Sequence, residues 1–207
     1  LDDPRRLINL AAALAELRAQ QHVLAYHDRA DGGVIVTLIE MAFAGHCGVD
    51  VDLPSGEGGL LGMLFAEEPG VVVQVPADRL RAVHEVLARH GLSDISHDIG
   101  RPTEDLRVRV RAGDSLIDED WCELRRAWSD TSWRLRRLRD NPECADEEYA
   151  AQCDPKTPPL VEQLSFDSAD DIAAPYVNRG HRPRVAVLRE QGVNSQIEMA
   201  AALHRAG

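Results

Sequence analysis

The residues best suited to chemistry lie between His27 and Gly33, where Asp28 and Asp31 stand beside the Gly32-Gly33 pair. A glycine turn that opens a helix aims backbone N–H groups outward, and the helix dipole favours negative charge, so phosphate is a natural guest. Two carboxylates repel a bare phosphate. Mg2+ resolves that conflict, because it takes one or two carboxylates together with phosphate oxygens. The pattern therefore reads as a metal–nucleotide site. The same residues also make a plain connection, with Asp capping the helix and Gly supplying positive φ, and taken alone the local pattern favours that plainer reading.

The flanking elements set this turn in place. Val23 to Tyr26 form a short apolar run that predicts a strand, and Val34 to His46 return to helical spacing through Ile35, Leu38, Ile39, Ala42 and Phe43. Upstream, Leu7, Leu10, Leu14 and Leu17 predict an amphipathic helix, with Asp2 or Asp3 as its cap and Pro4 in its first turn. Downstream, Val49 to Leu53 alternate apolar and acidic residues as a half-buried strand does. A loop at Pro54 to Gly59 precedes two predicted strands, Leu60 to Phe65 and Val71 to Val75, paired around an acidic turn. Pro76 starts a helix through Leu80, Val83 and Leu87 that Gly91 ends, and two more strands are expected at Ile95 to Ile99 and Leu106 to Val110. Residues 1–112 thus predict an α+β domain, a mixed sheet with helices on its faces.

A second long helix is predicted from Ile117, Trp121, Leu124, Trp128, Leu135 and Leu138, whose apolar stripe should pack on the sheet, until Asn141-Pro142 stops it. From there to Pro183 the polar chain, broken by Pro155, Pro158, Pro159 and Pro175, reads as an extended linker, so that 113–183 join two domains. Residues 184–207 then read as one βα unit of a parallel α/β domain: a strand at Arg184 to Leu188, a turn at Glu190 to Asn194, and a helix from Ser195 to Ala206.

The balance of 35 Asp and Glu against 23 Lys and Arg gives a net charge of -12 in 207 residues. That balance argues against a broad nucleic-acid surface and against an anionic membrane partner. An anionic substrate then needs a local basic patch or a metal. Cys47, Cys122, Cys144 and Cys153 form no CxxC pair, and nothing resembles a secretory signal or a long apolar span. Reduced thiols and a cytoplasmic location are the expectation. His46-Cys47 reads as a helix C-cap rather than a metal pair, since no second pair completes a tetrahedral set. His27 reads either as a residue that orients the acidic turn, the favoured reading, or as one that packs beside Tyr26. The chain begins at Leu1 and reaches Gly207 straight out of a helix, so it is read as a piece of something longer.

Four motifs in order, AYHDRADGG, EMAFAGHCG, LRDNPECADEE and RVAVLREQGVNS, resemble successive signatures of the long, single-chain phosphoribosylformylglycinamidine synthases of purine biosynthesis. The resemblance covers nearly the whole chain. It implies that residues 1–112 are an aminoimidazole-ribonucleotide-synthetase-like C-terminal domain from the second half of such an enzyme. The helical and extended linker then leads to the first βα unit of a class I glutamine amidotransferase domain. The family converts formylglycinamide ribonucleotide, ATP and glutamine to the amidine, ADP, phosphate and glutamate. Its partners would be those three substrates and the remainder of the same polypeptide.

Carried over by position, the resemblance makes Asp28 a ligand of Mg2+ at an auxiliary, largely structural ATP/ADP site, with Ala30, Gly32 and Gly33 against the nucleotide. The other metal ligands would precede Leu1. Ala30 stands where the family usually has Ser, so a hydroxyl contact is lost and only a backbone contact remains. No catalytic residue is assigned: the four Cys precede the βα unit, and His204 lies on its helix, so neither fits the glutaminase nucleophile or its partner. This segment alone is expected to lack synthase and glutaminase activity. Two other readings remain, a noncatalytic module that keeps a nucleotide-like turn for stability, and an enzyme of the selenophosphate or thiamine-phosphate kinase type. The REQGVN stretch argues against the latter.

Overall fold

Residues 3–54, 59–154, 161–177, 179–180, 183–192 and 194–206 are described by the structure, a computed structural model. The chain divides into two units, residues 1–157 and 158–207.

In the first unit, helix α1 (Pro4–Ala19) begins where expected: Asp3 Oδ1 accepts from the Arg5 N–H at 2.9 Å, and Pro4, whose missing N–H costs nothing there, occupies the first turn. Strand β1 (Ala25–Asp28) lies two residues later than its apolar run implies, because its partner β3 (Val71–Gln74) pairs antiparallel with Ala25 to Asp28. His27 and Asp28 therefore belong to a strand rather than to the turn. Helix α2 (Gly33–Gly45) follows at once, and His46 ends it in the left-handed region, which matches the C-cap expectation.

A second sheet has the order β4-β2-β5-β6, made of β2 (Gly48–Leu53), β4 (Gly100–Thr103), β5 (Arg107–Ala112) and β6 (Ser115–Asp120). β2 is parallel to β5 and antiparallel to β4, and β5 is antiparallel to β6, so the sheet is mixed as expected. Alternation sorts its faces. Val49, Val51, Leu53, Val108 and Val110 point inward to meet Val34, Ile35, Leu38, Ala42 and Phe43 of α2 and the indole of Trp121. Outward, Arg111 ion-pairs with Asp50, and Arg107 reaches Asp118 at 2.6 Å. A smaller core joins Ala13 and Leu17 of α1 to Val83 and Val86 of helix α4 (Leu80–Arg89) and to Leu92.

Several expectations need correction. Leu60 to Phe65 form helix α3 (Gly59–Phe65), not a strand: Leu64 is buried in the α2 core, and β3 finds its partner in β1 instead. The strand expected at Ile95 to Ile99 forms at Gly100–Thr103, on the sheet edge, where Pro102 needs no N–H for a second neighbour. Ile117 lies in β6 rather than in the long helix, which is α5 (Trp121–Arg139), capped by Asp120. Its stripe docks only at one end, with Trp121 buried but Leu135 and Leu138 exposed. The chain does not stay extended beyond Pro142. Helix α6 (Pro142–Ala151) is capped by Asn141 and lies on α5, with Trp133 stacked on Tyr149 at 4.6 Å. That return brings Cys153 to Cys122, Cα to Cα 5.3 Å, and the two form a disulfide; only Cys47 and Cys144 are free thiols.

In the second unit, residues 161–177 contain turns and bends without a helix or strand, and helix α7 (Gln196–Arg205) carries His204. The strand expected at Arg184 to Leu188 is not formed: a strand needs a neighbour for its N–H and C=O groups, and no described segment pairs with it. The loop expected over Pro54 to Gly59 and the linker residues 155–160, 178 and 181–182 fall largely outside the described residues. Among the described residues no helix is long and apolar enough to cross a membrane.

Candidate functional site

Asp28, Ala30, Gly32 and Gly33, the residues singled out from the sequence, fall in one junction between the end of β1 and the start of α2. The backbone there has little freedom. Gly32 and Gly33 both have positive φ, +86° and +73°, and a Cβ on Gly33 would come within 2.5 Å of the Leu64 carbonyl oxygen and 2.7 Å of the Phe65 Cα. Gly33 is thus required twice, by its conformation and by the closeness of the α3 backbone.

Asp28 presents a carboxylate whose side chain is 70% exposed, with the His27 Nδ1 3.8 Å away. Its carbonyl oxygen accepts from His27 Nδ1 at 2.7 Å, while the Thr37 hydroxyl, 3.4 Å from that oxygen, gives its single proton to the Gly33 carbonyl at 3.1 Å. The expected orienting role of His27 agrees with this contact. The exposed Asp28 carboxylate beside a helix start is a hard-oxygen donor of the kind Mg2+ takes as one ligand among several.

The N–H groups of Gly32 and Gly33 are already engaged. Gly32 N–H donates to Glu67 Oε1 at 2.9 Å, and Gly33 N–H to the Ala30 carbonyl at 3.0 Å. The negative charge that the helix start favours is supplied here by the chain's own Glu67. Arg29 closes the second side: its N–H donates to the Gly70 carbonyl at 2.8 Å and its guanidinium reaches Glu68 at 3.3 Å. The acidic turn at 66–70 is visible in the sequence, but its pairing with residue 32 is not, because nothing local encodes a contact 35 positions away.

Two other places have the composition of a site. Asp120, Cys122 and Glu123 lie close together, yet Asp120 Oδ1 accepts from the Cys122 and Glu123 N–H groups, and the Cys122 sulfur is bonded to Cys153. A disulfide sulfur is no thiolate ligand. A groove of about 410 Å3 is lined by Asp50, Asp52, Asp98, Arg101 and Arg111 on the outer side of β2, and none of residues 28–33 lines it.

Residues 1–113 match the model of a protein family, AIR synthase related protein, C-terminal domain, and the chain belongs to that family. Among solved structures, the chain is similar to PurLQS from Thermotoga maritima, at 20% identity and a TM-score of 0.51 over 57% of this chain and 21% of that one. It is also similar to phosphoribosylformylglycinamidine synthase II from Thermotoga maritima, at 21% identity and a TM-score of 0.50 over 57% of this chain and 21% of that one. A third likeness, to T. maritima PurL complexed with FGAR, has 20% identity and a TM-score of 0.50 over 56% of this chain and 20% of that one. The chain therefore spans about a fifth of the length of these structures, and at such identities they share its fold.

Proposed function

We propose that this chain is part of an ATP-dependent carbon–nitrogen ligase that converts formylglycinamide ribonucleotide, ATP and glutamine to the amidine, ADP, phosphate and glutamate. In that reading residues 1–112 carry part of an auxiliary Mg2+–nucleotide site and 184–207 open a glutaminase domain. Membership of the AIR synthase related family and the fold shared with T. maritima PurL support it, one structure of the latter having been solved with FGAR.

The observation that carries the site is the exposed Asp28 carboxylate at the strand–glycine–helix junction. Asp28 would supply one oxygen ligand to Mg2+, and the backbone at Ala30, Gly32 and Gly33 would face the nucleotide. The metal would neutralise phosphate charge beside Asp28 and Asp31. The chain's own residues hold that geometry: His27 fixes the Asp28 carbonyl, Thr37 bonds the Gly33 carbonyl, and Gly33 lets α2 start against α3. A phosphate reaching the Gly32 N–H would have to replace the Glu67 carboxylate.

Asp28→Asn keeps the shape and removes one charge from the metal's shell. Bound to the folded state alone, Mg–ADP raises the melting temperature by mass action. In the longer polypeptide that supplies the remaining ligands, the wild type should therefore show a Mg-dependent ADP shift that Asp28→Asn loses. Equal shifts in both proteins would remove Asp28 from the site, and no shift in either would count against the metal–nucleotide reading.

A further inference from the structure

We infer that Glu40 is a positioning residue for the turn at residues 28–33, and that α5 holds it in that role through Trp128. The inference deepens the reading of that turn as a metal–nucleotide site and rests on it.

The His27 ring lies between two oxygen acceptors, the Asp28 carbonyl at 2.7 Å from Nδ1 and Glu40 Oε2 at 3.0 Å from Nε2. The other oxygen of the same carboxylate, Oε1, accepts from Trp128 Nε1 at 2.9 Å. Each Glu40 oxygen thus has its own nitrogen partner, so the carboxylate cannot rotate without breaking one of the two contacts; since both oxygens facing the His27 ring only accept, the ring serves both at once when each nitrogen carries its proton. His27 and Glu40 are half-buried, with side chains 26% and 30% exposed, which shields their contact from solvent more than an ordinary surface pair.

Trp128 is itself held. The Arg125 guanidinium lies 4.9 Å from its ring centroid and 5.1 Å from that of Phe43, a layered contact between the first turns of α5 and the end of α2. Yet Trp128 remains half exposed, so burial alone does not explain an indole at this position. The N–H bond to Glu40 does. The series Trp128, Glu40, His27 and the Asp28 carbonyl therefore runs from α5, beyond the 1–113 span of the family domain, to the backbone of the residue proposed to bind metal.

The test is nuclear magnetic resonance on the 207-residue chain, comparing the wild type with Trp128→Phe, Glu40→Gln and a control, Trp133→Phe. The control removes another α5 indole N–H, one that donates to Asp146. Trp128→Phe and Glu40→Gln should each move the His27 ring nitrogen resonances and the amides of residues 28–33, and Trp133→Phe should leave them in place. Glu40→Gln keeps size and one carbonyl acceptor, so it decides the matter if Trp128→Phe fails to fold. Changes confined to residues around 128, or equal changes from the control, would overturn the inference.

Mn2+ added as a paramagnetic probe separates this result from the underlying function. In the wild type it should broaden the amides of residues 28–33, and in the two variants that broadening should need roughly fivefold more metal, the weight of one net hydrogen bond. Equal broadening in all proteins would overturn positioning. Wild-type amides untouched by Mn2+ would instead show that Asp28 does not hold metal without the ligands proposed to precede Leu1, while the ring and amide shifts would still decide the series.

Discussion

Two valine-rich stretches of this chain end in different states. Val49 to Leu53 lie in β2, whose Val51 is 4% exposed, whereas Val185 to Leu188, apolar without a break, are not a strand, and Leu188 is 87% exposed. Local preference would rank them the other way. What separates them is neighbours: β2 has β4 on one side and β5 on the other, and α2 covers its inner face, while no described residue of 161–206 is buried at all. Strand propensity describes a fit to a pleated, half-covered surface, and without that surface it has no expression.

That contrast can be broken by removing side chains from both regions. Trp121→Ala deletes a buried indole and its bond to the Ala42 carbonyl at 3.0 Å, and should cost about 3–5 kcal/mol in urea unfolding. Leu188→Ala should stay within about 0.5 kcal/mol of the wild type. Comparable losses would mean that residues 184–188 are covered after all.

The α5–α6 hairpin lies between these extremes, since α6 buries only Ala145 and depends on side-chain contacts with α5 and the Cys122–Cys153 bond. Opening that bond with a thiol reductant should lower stability by about 2–4 kcal/mol. Hydrogen exchange should then quicken in α6 while the β2 amides stay slow. Uniform quickening would show that the hairpin and the sheet unfold as one.

Glycines sharpen the comparison further. Gly33 and Gly192 share a positive φ, but a Cβ added at Gly33 would meet backbone closer than 3 Å, whereas one added at Gly192 would enter open space. Gly33→Ala should therefore cost about 2–3 kcal/mol and Gly192→Ala about 1. Equal melting temperatures in the two variants would contradict the close approach of α3.

The smallest expected effect concerns pH. Bonds from the His90 ring and then from the Arg89 guanidinium hold the Glu16 carboxyl below the usual carboxylate range. A group whose acidity is strengthened by folding stabilises the folded state above its unfolded pKa, and that contribution disappears as pH falls through the lower folded value. Acid unfolding followed by circular dichroism should show a slightly shallower slope below about pH 4 in Glu16→Gln. An identical slope would mean that the contact adds nothing to folding.

Much of the first domain is legible in the sequence because its signals are local. Asp3, Pro4 and the leucine spacing mark α1, the alternation of Val and Asp marks β2, and Gly32-Gly33 mark the junction before α2. Leu60 to Phe65 mislead because so short an apolar run does not reveal a period, and their helix is decided by Leu64 docking under α2. Ile117 misleads because its spacing to Trp121 is a helical interval, although β5 draws it into β6. At the candidate site the turn can be found from the sequence and its supports cannot. Glu67 is 35 residues from Gly32, Trp128 is 88 from Glu40, and pairing over such distances is a property of the folded chain.

The Gly33 contact has a mechanical side. Gly33 rests on the Leu64 and Phe65 backbone, and just beyond that point Glu67, Glu68 and Gly70 of the loop at 66–70 accept hydrogen bonds from Gly32 and Arg29 of the loop at 28–33. The two loops are laced like the edges of one seam. A guest that pulls Gly32 from Glu67 also tugs on 64–70, and a cut in 66–70 slackens 28–33. Their amides should accordingly open to solvent together, at one shared rate, although the chain places Gly32 and Glu67 35 residues apart.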